Sequence, residues 1–62
     1  MNVHVVTWYV ATKWGPMQER ERIFAGHLPE ASVRVQMQSF LGRMQERGVP
    51  VYPKFDVEKA VR

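Results

Sequence analysis

The chain contains no cysteine among its 62 residues. Disulfide bonds and cysteine-ligated zinc are therefore excluded as sources of stability. Its four glycines are isolated from one another, so the glycine-rich loops that bind nucleotide phosphates are absent as well. No apolar run approaches the roughly 18 residues that a membrane-spanning helix requires. The sequence therefore predicts neither a disulfide-stabilised domain nor a membrane protein.

Groups that carry out catalysis are equally scarce. The only imidazoles are His4 and His27, and no spacing places either one beside a hydroxyl nucleophile. The six acidic residues are scattered, and most have a basic neighbour in the sequence, which favours surface ion pairs over a paired carboxylate site. Two distant histidines do not supply the three or four ligands of a metal site. We therefore predict no enzyme activity, catalytic residue, cofactor, metal site or small-molecule substrate.

The small size of the chain limits the stability that its core can provide. For a chain of 7.3 kDa, apolar burial contributes about 95 kcal/mol, and ordering the residues costs about 93 kcal/mol. A chain of this length forms a single domain, which spans residues 1–62. Because the two free-energy terms nearly cancel, we expect this domain to associate with itself as a homodimer or with a protein partner. The first residues, MNVHVV, do not resemble a secretory signal, so the expected location is cytoplasmic.

Hydrophobic patterning predicts a small two-layer α+β domain with the element order β-α-α-β-α. The first helix is predicted because Met17 and Phe24 share one face with Leu28. The second has an apolar stripe about 100° wide, although Ser32–Gln38 also alternates with the period of a strand. We expect the last strand to pair antiparallel with the first. The predicted elements are a strand at Val3–Thr12, helices at Met17–Ala25 and Pro29–Arg47, an edge strand at Val49–Phe55 and a final helical turn at Val57–Val61.

The N-terminal strand is apolar on both of its faces. Trp8 and Tyr9 point to opposite sides, and the predicted helices cover only one of them. Because Trp8 shares its face with His4 and Thr12, which are less apolar than the neighbours of Tyr9, we expect the Trp8 side to be the outer face. Tryptophan, tyrosine and arginine dominate interface hot spots. Trp8, Tyr9 and Trp14 are therefore the predicted partner-binding residues.

The second predicted helix offers a different binding surface. Gln36, Arg43 and Arg47 lie within about 40° of one another on the helical wheel, beside the apolar stripe. Arginine and glutamine are the side chains that read guanine and adenine in a major groove. The three residues are candidate nucleic-acid contacts, and the alternative is that they form the solvated flank of a core helix.

Two features resemble families of DNA-binding proteins. The order of strand, proline-started helix, connector and second helix resembles the ribbon-helix-helix repressors, whose strands pair across a dimer and enter the major groove. The segment ERGVPVYPKFDVEKAVR is similar to the wing and final helix of excisionase-like winged helices. Each resemblance covers one part of the chain and implies a different fold, so neither assigns a family.

The interpretation that we favour from the sequence is a small non-enzymatic binding protein. It would occupy a surface on a larger macromolecular machine, in the manner of phage and mobile-element inhibitors or modulators, a comparison that rests on size alone. The alternative is a dimeric DNA-binding transcriptional regulator of ribbon-helix-helix or winged-helix type. A structural subunit of a larger assembly is not separable from the first interpretation by sequence.

Overall fold

The computed structural model describes all 62 residues and contains three strands and one helix. In chain order the elements are β1 (Asn2–Val10), β2 (Gln18–Ala25), α1 (Glu30–Glu46) and β3 (Val51–Val61). The strands form one antiparallel sheet in the order β2-β1-β3. The strand richest in β-branched and aromatic residues is therefore the central one, where it has a neighbour on each side.

The broad α+β class agrees with the sequence prediction, but the predicted β-α-α-β-α order is wrong. Met17–Ala25 was predicted to be helical, and the structure has β2 there instead. Phe24 is buried against the sheet's core, whereas Met17 lies in the preceding loop and is exposed. Pairing with β1 along the whole length of β2 determines the conformation of this segment, because tertiary contacts override weak local helix propensity.

In the C-terminal part, the predicted edge strand that pairs antiparallel with β1 is confirmed, but the predicted helical turn after it is wrong. Asp56 was expected to begin a helical turn, but β3 continues through it to Val61 and Asp56 pairs with Thr7. Pro53 lies in the stretch between Val51 and Phe55, where the pairing register with β1 shifts. A proline is tolerated there because an edge strand has a free side and the ladder is interrupted.

The helix α1 forms where the second helix was predicted, so the strand alternative for Ser32–Gln38 is excluded. Pro29 precedes it in an extended conformation, and Gly48 follows it with a φ of 81°. That left-handed conformation is the one glycine commonly adopts after the end of a helix. The apolar stripe faces the sheet, and its buried members are Val33, Met37 and Leu41.

The core lies between α1 and the face of the sheet that carries Trp8. The Trp8 side chain is only 6% exposed and meets the Phe40 ring edge-on, with the centroids 5.4 Å apart. The two faces of β1 are thus the reverse of those predicted, because the Tyr9 side is the outer one. His4 is buried beside the core, and its Nε2 lies 2.7 Å from the carbonyl oxygen of Leu28. This hydrogen bond compensates in part for burying a polar side chain on the inner face, and His4 Nδ1 is buried without a partner.

The fold does not support either of the DNA-binding architectures that the sequence resembled. In a ribbon-helix-helix dimer the first strand needs a free edge, but β1 already has β2 on one side and β3 on the other. A winged helix needs a final helix, and the chain ends in β3 instead. Any nucleic-acid interaction of this protein must therefore use a different geometry.

Candidate binding surfaces

The face of the sheet opposite α1 is not covered by any other element of the chain. We term it the open face. Opposite residues of paired strands share a face, so the pairing register identifies its members. They are Val3, Val5, Thr7 and Tyr9 of β1, Glu19, Glu21, Ile23 and Ala25 of β2, and Asp56, Glu58 and Ala60 of β3. Val5 is only 7% exposed, so the exposed apolar area of this face lies mainly at Ile23 and Tyr9.

The two edge strands place carboxylates on both sides of the central row of the open face. Thr7 has Glu21 opposite it on β2 and Asp56 opposite it on β3. Glu19 lies on the same face two residues before Glu21 in β2, and Glu58 lies there two residues after Asp56 in β3. Four of the six acidic residues of the chain are therefore on the open face.

Only one of these carboxylates has a basic partner. Arg62 Nη1 lies 3.3 Å from Glu21 Oε1, and both side chains remain about half exposed. The other ion pair of the chain joins Arg34 to Glu30 on α1. The remaining carboxylates of the open face have no ion-pair partner, so this face is negatively charged although the chain has a net charge of +3.

An aromatic cleft lies at one end of the open face. Its volume is about 200 Å³, and it is lined by Tyr9, Tyr52, Lys54, Phe55 and Asp56. It occurs at the shift in register between Trp8 and Val10, where β3 carries extra residues. Tyr9 and Tyr52 are 36% and 45% exposed. Rings that combine apolar area with a polar hydroxyl are common anchors in protein interfaces.

The three aromatic residues predicted to bind a partner lie in three different environments. Trp8 is in the core and is not on the surface. Tyr9 is on the open face, at the aromatic cleft. Trp14 is 88% exposed in the loop between β1 and β2, where Lys13 Nζ lies 5.8 Å from the centre of its ring. The structure does not bring the three residues together.

The predicted nucleic-acid contacts lie on the α1 side of the sheet, along the flank next to β2. Phe40 locates this flank, because the Arg22 guanidinium of β2 lies 5.2 Å from the Phe40 ring and 4.8 Å from the Phe24 ring. Helical residues four before, three after and seven after Phe40 share its side of the helix. These positions are Gln36, Arg43 and Arg47.

Two arginines of β2 extend this flank into one basic surface. Arg20 and Arg22 point to the α1 side because they pair with Trp8 and Val6, which face the core. We term the combined set, Arg20, Arg22, Arg43 and Arg47 with Gln36, the arginine surface. All five side chains are exposed, and none of the four arginines takes part in an ion pair.

Most of this charge separation was not predicted from the sequence. A helix at Met17–Ala25, as predicted, would place Glu19 and Glu21 with Arg20 and Arg22 on one solvated surface. A strand instead sends successive residues to opposite faces, so the acids reach the open face and the arginines reach the α1 side. The strict alternation in the segment ERER was the signal that could have revealed it.

The side chains on these surfaces provide charge and apolar area. No group of three or more histidine, cysteine, aspartate or glutamate side chains is positioned to hold a metal ion. The carboxylates of the two edge strands are separated by β1, at about 4.8 Å per strand spacing.

No helix has both the length and the apolar character to cross a membrane.

Comparison with protein family models, with curated proteins and with solved structures finds no match for this chain. The features that bear on function are therefore the two charged surfaces and the aromatic cleft.

Proposed function

We propose that the protein is a small non-enzymatic binding protein that docks its open face onto a basic surface of a larger protein, and so inhibits or modulates that target by occupying the site. The observation that supports this proposal is an uncovered sheet face with apolar and aromatic side chains between two rows of carboxylates. Exposed apolar area bordered by polar groups is typical of interaction surfaces.

The apolar part of the open face would supply the affinity. Ile23 is 43% exposed, and Tyr9 and Tyr52 present their rings at the aromatic cleft. The two longest dimensions of the chain, 37 and 22 Å, bound a footprint comparable with the roughly 800 Å² that each partner contributes to a standard interface. A side chain of the target that enters the cleft would be the anchor of the complex.

The carboxylates determine which kind of partner fits. A second copy docked face to face would bring four carboxylates against four, with only Lys54 and Arg62 of each copy to offset them, and like charges across an interface disfavour association. Nucleic acid is disfavoured at this face for the same reason, because its backbone is anionic. A surface rich in lysine and arginine is complementary, and its attraction also accelerates association.

The test is a charge reversal with a matched control. The immobilised protein is incubated with a nuclease-treated cell lysate, and each captured protein is quantified for the wild type and for two double variants. Asp56→Lys/Glu58→Lys alters the open face. Glu30→Lys/Glu46→Lys changes the net charge equally on α1. All four positions are exposed, so the variants should remain folded.

We expect the captured target to fall at least tenfold with the open-face variant and to stay within twofold of the wild type with the α1 variant. Equal losses would contradict the proposal, because binding would then follow net charge. Light scattering at micromolar concentration gives a second check. A mass near twice 7.3 kDa that the open-face variant abolishes would identify a second copy as the occupant instead.

A further inference from the structure

We propose that the arginine surface is a second binding site, which contacts the phosphate backbone of double-stranded nucleic acid without reading its sequence. The site lies on the opposite side of the sheet from the open face, because successive residues of β2 point to opposite sides. The two surfaces are therefore independent, and a bound protein target would leave the arginine surface accessible.

The first argument is the unbalanced charge. The arginine surface contains four of the nine basic residues of the chain, and no carboxylate forms an ion pair with any of them. A folded protein usually intersperses the two signs, and a one-signed patch attracts a ligand of the opposite charge. Arginine fits phosphate in particular, because its planar guanidinium donates two parallel hydrogen bonds to phosphate oxygens.

The second argument is the arrangement of the arginines in two rows. Arg20 and Arg22 are two residues apart on a strand, or about 6.6 Å. Arg43, in the last turn of α1, and Arg47, the residue that follows the helix, are four residues apart, or about 6 Å at the helical rise. Rows with this spacing, from two neighbouring elements, suit successive phosphates along a strand of nucleic acid.

The third argument concerns which form of nucleic acid fits. Proteins that bind single strands stack the bases on exposed aromatic rings. Here the Arg22 guanidinium lies over both Phe24 and Phe40, and Phe24 is buried, so neither ring offers a free face to a base. Stacking also holds Arg22 in place. The surface therefore fits a duplex backbone better than a single strand.

Base reading is disfavoured by the position of α1. A helix that reads bases protrudes into the major groove. In this protein α1 lies on the sheet with β2 along its flank, so Arg20 and Arg22 stand beside the edge that carries Arg43 and Arg47. This geometry therefore allows contacts to the phosphate backbone of the nucleic acid and disfavours contacts to base edges.

The experiment measures the binding of a short fluorescent duplex of arbitrary sequence by anisotropy, over a series of salt concentrations. If all four arginines contact phosphates, the slope of log K against log salt should be about −3.6. Arg20→Gln/Arg47→Gln should reduce that slope by about 1.8 and weaken binding at least tenfold at about 50 mM salt. The control, Arg34→Gln/Lys59→Gln, removes the same charge near β3 and should change affinity less than threefold.

Three outcomes would overturn the proposal. The first is no duplex binding at about 50 mM salt, where phosphate contacts are strong. The second is an equal loss in the two double variants, which would mean that only net charge matters. The third is tighter binding of a single strand, or of heparin, than of the duplex. Circular dichroism of each variant establishes that it is folded.

Discussion

Replacing Trp8 with alanine is expected to unfold a large fraction of the protein. Trp8 is almost fully buried between the sheet and α1, and truncating a buried tryptophan to alanine costs about 3–5 kcal/mol. A chain of 62 residues has a total stability of about 3–9 kcal/mol by the usual value per residue. The expected loss of stability is therefore comparable with the total stability of the protein. Urea denaturation followed by circular dichroism measures it directly.

Two further variants make this experiment specific. Tyr9→Ala removes the neighbouring ring from the open face, and it should cost less than about 1 kcal/mol because that ring is partly exposed. Trp8→Phe should have an intermediate effect. It retains a ring beside Phe40 and removes the indole N–H, which is buried without a hydrogen-bond partner. If Tyr9→Ala destabilised the protein as much as Trp8→Ala, the assignment of the inner and outer faces would be wrong.

Replacing Gly26 with alanine is expected to destabilise the protein by about 3 kcal/mol, the upper part of the range for overpacking. A Cβ at Gly26 would overlap the backbone carbonyl group of Asn2, which cannot rotate away as the end of a side chain can. The junction between β2 and the start of β1 would have to separate. At about 4–8 °C per kcal/mol, the melting temperature should fall by at least about 12 °C.

The matched control for this change is Gly42→Ala in α1. A Cβ at Gly42 has no atom within 4 Å, so the substitution only replaces the poorest ordinary helix former with the best one. We expect a gain of about 0.5–1 kcal/mol and a melting temperature about 2–8 °C higher. The same substitution at two glycines should thus shift the melting temperature in opposite directions. A fall with both variants would contradict this interpretation.

Local patterns in the sequence identified the elements that carry strong signals. The β-branched run around Val6 predicted β1, and the stripe containing Val33 and Met37 predicted α1. The segment that became β2 has a weak local pattern, and its strand conformation depends on pairing with β1. Similarly, Asp56 is a good helix N-cap in isolation, and only its pairing with Thr7, far away in the sequence, places it in β3.

The candidate site was predictable only in part. Alternation along β1 correctly separated Tyr9 from Trp8, but composition alone could not determine which of them lies outside. The polar character of His4 suggested an outer face, whereas its hydrogen bond to the Leu28 carbonyl allows it to be buried. Tyr52 could not have been assigned, because the aromatic cleft depends on the irregular register between β1 and β3.

The alternating charges of β2 also affect aggregation. β2 is an edge strand, and its outer side has backbone groups that another copy of the chain could pair with. In a continuous antiparallel sheet with both helices on the same side, the two registers centred on Arg20 and on Glu21 place glutamate opposite glutamate and arginine opposite arginine, as in Glu19 against Glu21 in the first of them. Pairing of two copies through β2 in these registers is thereby disfavoured, which narrows the ways in which this edge can associate at high concentration.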